Sequence, residues 1–254
     1  MNHPLDPSRL KIIRAEEHLH ALRDEIVRYM NTKPYECILQ SDGKQRKPVV
    51  RAKSEPPQRL SAIVGDCIYN ARTALDYLAW QLGLLTGPKD PKKARIYFPI
   101  FKGFDAFKKN WDESLVKHLP ASTFTPLENV QPYHSGYDSL VQLHALSNED
   151  KHRLPILALS YIVSAEILTT YTSSDGWVGE GMQSHNVATH QLGTQREIVG
   201  FAIEPEFEVE MDGQATGFVA FADPLMPREP VDVWVNRVME TIRDRVIPKF
   251  ESFF

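Results

Sequence analysis

Apolar residues recur at helical spacing through most of the first 150 positions and again near the C-terminus. Ile12, Ala15, Leu19, Leu22 and Ile26 predict an amphipathic helix over about Ser8–Met30, with Glu16, Glu17 and Arg23 elsewhere on its circumference. A longer stripe of Leu60, Ile63, Val64, Cys67, Ala71, Leu75, Leu78 and Leu82 predicts a helix from Gln58 to Leu85. Its second row, Gly65, Tyr69, Arg72, Asp76 and Trp80, implies burial on two sides. Gly65 is about 1 kcal/mol worse than Ala inside a helix, so a close helix crossing is expected there. Further helices are expected over Phe104–Leu119, over Tyr137–His152 with Pro155 forcing its end, and over Val231–Phe250.

Elsewhere the pattern is that of strands. Tyr35–Gln40 and Pro48–Lys53 flank Asp42-Gly43, a pair suited to tight turns, and predict a small hairpin with a basic tip at Lys44–Lys47. Ile156–Thr172 is rich in β-branched and aromatic residues and suits a buried strand or two. Ser173–Gly193 reads as a long Gly/Ser loop. Phe207–Met211 alternates strictly into Asp212-Gly213, where a turn is expected before a strand at Gly217–Ala222. The expected fold class is therefore α+β: an N-terminal helical bundle with a small hairpin, packed on a C-terminal antiparallel β-sheet closed by an amphipathic helix. Residues 1–254 are read as one composite domain, helical over 1–153, β-rich over 154–229 and helical again over 230–254.

Composition narrows the function more than it defines it. A net charge of −4 gives no general attraction to polyanions, so a nucleic-acid partner needs a local basic surface. Two cysteines, Cys37 and Cys67, exclude a disulfide framework and a cysteine-built zinc site, and suit free thiols in the cytoplasm. No apolar run approaches the roughly 20 residues of a membrane helix, and no signal-peptide core precedes Arg14. No membrane partner is expected.

Two segments carry unusual polar content for core-forming helices: Asn70–Trp80, with Arg72 and Asp76 one turn apart on one face, and Asn148-Glu149-Asp150-Lys151-His152-Arg153. The Arg72–Asp76 pair is either a lock on helix packing or a guanidinium held ready for phosphate or carboxylate. Lys151, His152 and Arg153 complement a helix C-terminus, yet His152 is also a natural acid–base at neutral pH, with Asp to orient it and a cation to stabilise negative charge. Both segments resemble an uncharacterised bacterial family with an Arg-Ser/Thr-Ala-Leu-Asp helix followed, roughly 70 residues on, by Asn-x-Asp-Lys-His-Arg. Phe98-Pro99-Ile100 and Gln131-Pro132-Tyr133 fall within the same resemblance, which implies no activity. Arg14-Ala-Glu-Glu-His-Leu-His20 is similar in spacing to HEPN-type helical ribonucleases, but Ala15 stands where those carry a polar residue. Glu17-x-x-His20 and Glu149-x-x-His152 have the spacing of di-iron ligands, but Glu17 falls off the apolar stripe, so neither metal nor other cofactor is expected.

The leading expectation is a hydrolase or nuclease-like protein acting on a phosphate-containing substrate, in a toxin or phage-defence setting. His152, Asp76 and Lys151 would be its catalytic residues, and Arg72, Asn148 and Arg153 would bind the ligand. The alternatives are a non-catalytic binding module for an anionic ligand and a structural or partner-binding protein, either of which admits a homo-oligomer.

Overall fold

The first helix starts where Asp6 accepts a hydrogen bond from the His3 N–H at 2.7 Å and Pro7 supplies a helical φ. The computed structural model describes residues 3–41, 46–86, 96–113, 117–150, 153–155, 157–172, 176, 178–191, 196–197, 208–213, 216–223 and 226–254. In chain order the elements are α1 (Asp6–Asn31), β1 (Tyr35–Ser41), β2 (Arg46–Ala52), α2 (Gln58–Leu84), α3 (Phe104–Glu113), α4 (Phe124–Glu128) and α5 (Ser139–Asp150). Then come β3 (Leu157–Thr172), β4 (Val178–Gln191), β5 (Arg196–Glu197), β6 (Glu208–Gly213), β7 (Thr216–Phe221) and α6 (Val231–Glu240). Helix α6 runs on as a π turn over Thr241–Val246 and a 3-10 turn over Ile247–Phe253. Among the described residues no helix is long and apolar enough to cross a membrane.

The chain divides into two compact units, and each gathers separated segments. The helical unit comprises Met1–Arg23, Ser61–Pro155 and Asp232–Phe254. Contacts place α1, α2, α5 and α6 in a ring of antiparallel neighbours. Lys11 and His18 of α1 meet Asn70 and Asp66 of α2, and Arg72 and Gly65 of α2 meet His144 and Asp150 of α5. Gln142 and Ser139 of α5 meet Trp234 and Thr241, while Asp232, Arg243 and Glu251 reach back to Arg23, Glu16 and Arg9. In each pair the residue numbers run in opposite directions, as in an up-down-up-down bundle. Its interior is apolar: Cys67, Ile68, Ala71, Leu143, Trp234 and Val238 pack together and leave no space for a water molecule. Beside it Phe107, Trp111 and Phe124 form an aromatic cluster with ring centroids 5.2 to 6.3 Å apart, which seats α3 and α4.

The other unit comprises Asp24–Leu60 and Ile156–Val231. Here β1 and β2 pair antiparallel from Tyr35–Ala52 to Ser41–Arg46, and β2 also pairs with β5. The sixteen-residue β3 takes β4 along one edge and β6 followed by β7 along the other. Tyr29 of α1 donates its hydroxyl to the Ser54 carbonyl at 2.8 Å, which ties the helix to the chain after the hairpin.

Several expectations are overturned. The α+β fold class, an N-terminal bundle packed on a C-terminal antiparallel sheet that an amphipathic helix closes, is corrected. Helical residues clearly outnumber strand residues, and the helical core is drawn from the start, middle and end of the chain. The last helix closes the bundle rather than a sheet, because Trp234, Val235, Val238, Met239, Ile242 and Val246 give it an apolar face that the cores of α2 and α5 match. The hairpin likewise clusters with the strands and not with the bundle. Asp212-Gly213 is not a reversal: β6 and β7 run on in the same direction along β3, and the register moves by two residues between them. The expected loop over 173–193 contains strand β4, and its His185 and His190 lie on that strand. Helix α3 is described to Glu113 only, short of the expected Leu119, and Pro120 disfavours a helical conformation at Leu119. The helical geometry after Glu240 departs from α because Pro248 has no N–H to give.

Candidate functional site

Among the described residues the segment Tyr97–Phe101 pairs with no strand, so its buried peptide groups need side-chain partners. Arg72 and Asp76, one turn apart on α2, provide them for Phe98. Asp76 Oδ1 accepts the Phe98 N–H at 3.0 Å, and the terminal guanidinium nitrogen of Arg72 donates to the Phe98 carbonyl at 2.9 Å. The same nitrogen donates to Asp76 Oδ1 at 2.8 Å, and Arg72 Nε donates to Oδ2 at 3.2 Å, a two-pronged ion pair. Gln131, fully buried, does the same work two residues on. Its Oε1 accepts the Phe101 N–H at 2.9 Å, and its amide donates to the Pro99 and Leu127 carbonyls at 2.9 and 3.0 Å. Three of the quoted motifs, Arg-Thr-Ala-Leu-Asp, Phe-Pro-Ile and Gln-Pro-Tyr, thus meet in one network.

Of the expected site residues, Arg72 and Asp76 lie in this brace, with side chains 12% and 25% exposed. Asn148 reaches it indirectly: the Arg72 guanidinium stands 3.5 Å from His144 Nδ1, and the Asn148 amide stands 3.3 Å from His144 Nε2. Arg153 is separate from it, exposed and paired with Glu149 at 2.7 Å. Lys151 and His152 lie outside the described residues, as do Lys44 and Gln45 of the expected basic tip, whose Arg46 and Lys47 fall on β2. His144 was missed as a site residue in the sequence. It counts as one more position on the row of Tyr137, Leu140 and Val141, and its one clue is that it lies one turn before Asn148. The role of Phe98 is carried by its backbone, for which side-chain patterns hold no signal.

Three further clusters lie on the helical unit. Asp150 rests against Gly65, whose Cβ would stand 2.6 Å from Oδ1, so the glycine makes room for a carboxylate of α5. Burial and the nearby Asp66 push the Asp150 carboxyl above its usual range. His134 holds Glu128 at 2.8 Å, with the Tyr133 ring 4.7 Å away, and burial together with Glu128 pushes the Tyr133 phenol up. Arg14 pairs with Glu17 on the outer side of α1, where His20 is also exposed. Arg14 is thus held outward by a carboxylate. Among the described residues no group of three or more His, Cys, Asp or Glu is placed to hold a metal ion.

Compared with protein-family models, with curated proteins and with solved structures, the chain matches none.

Proposed function

We propose that this protein works by binding a partner and not by catalysis, with Arg72, Asp76 and Gln131 as the internal brace of its helical unit. The observation that carries this reading is the occupancy of Asp76. Two nitrogens of Arg72 and the Phe98 N–H point at its oxygens, filling three of about four lone-pair sites on a carboxylate. That leaves about one lone-pair site, on Oδ2, for a water or a substrate hydroxyl. Arg72 is likewise turned toward Asp76 and a carbonyl, so an anionic ligand would compete with partners already in place. Of the expected catalytic residues only Asp76 lies among the described residues, where it is engaged as above. The buried free thiol of Cys67 supports a cytoplasmic setting for the same reading.

The test is Asp76→Asn. As one half of a largely enclosed ion pair, its loss should cost about 3 kcal/mol, and for a chain of this size that means a melting point roughly 6–12 °C lower. A screen of the wild type with RNA, DNA, cyclic nucleotides and phosphoesters should give no turnover. An activity found in the wild type and lost from a folded Asp76→Asn protein would overturn the proposal.

A further inference from the structure

We draw no further inference here: the strongest candidate, the open hollow at the start of α1 where Leu10 and Ile13 stand exposed beside Pro4, Pro7 and Gln81, carries none because nothing in the structure shows what covers it.

Discussion

Asp150 shows how one residue can work against the fold it sits in. Its carboxyl lies against the Gly65 backbone near Asp66, and burial first and Asp66 second hold it above the usual range. The folded state therefore binds that proton more tightly than the unfolded chain does. Stability consequently falls as pH rises from the ordinary carboxylate value of about 4 through the raised one. Asp150→Asn removes the partly buried charge while keeping the shape. The variant should melt higher than the wild type at neutral pH, and the gain should vanish as pH is lowered past about 4, where Asp150 is protonated in both states. Melting curves across that range check it; a gain that grows toward acid would reverse the sign of the argument. Cys67 is the quieter counterpart, a buried thiol near the Ala15 carbonyl that burial pushes up to about 12.

At the scale of elements, the 97–101 segment is held as if it had a neighbouring strand, although side chains from α2 and the turn after α4 take that role. Arg72 and Asp76 serve Phe98, and Gln131 serves Pro99 and Phe101. Gln131→Ala would take this partner from two buried carbonyls and the part-buried Phe101 N–H, and at about 1–3 kcal/mol for each buried group the loss should reach at least about 2 kcal/mol by denaturant unfolding. Because both ends of the brace hold one short segment, Gln131→Ala and Asp76→Asn should not add. A double-mutant cycle is expected to give a coupling of about 0.5–3 kcal/mol, and strict additivity would show that the two contacts act separately.

For the molecule as a whole, the order of segments decides which elements depend on one another. Trp234, Val235, Val238 and Met239 of α6 cover Cys67, Ile68, Ala71 and Leu143 in the bundle core. A chain ending at residue 230 would expose that apolar surface and lose the Trp234–Gln142 hydrogen bond of 2.8 Å. In a Cys37→Ser background it should lose the cooperative melting of the helical unit, and Cys67 should react with a thiol reagent within the mixing time. In the intact chain Cys67 should stay protected. A truncated protein with Cys67 still protected would mean that α6 is not part of that core.

The sequence by itself determined what depends on neighbours along the chain. The stripe of Ile12, Ala15, Leu19 and Leu22, and that of Leu60 to Leu82, fixed α1 and α2 nearly to their ends, because helical spacing brings such residues to one face whatever lies opposite. Asp42-Gly43, which itself lies outside the described residues, pointed to the antiparallel pairing of β1 and β2 on the same local grounds. Only the tertiary structure decided where α6 packs, since an apolar face states that it will be buried but not against which partner. It alone decided that β6 and β7 share one edge of β3, because Asp212-Gly213 permits a turn and pairing with β3 makes the chain run on. Arg72 and Asp76 were legible as an enclosed pair. Their engagement with Phe98 was not, because the partner is a peptide group, and every residue along the chain carries one.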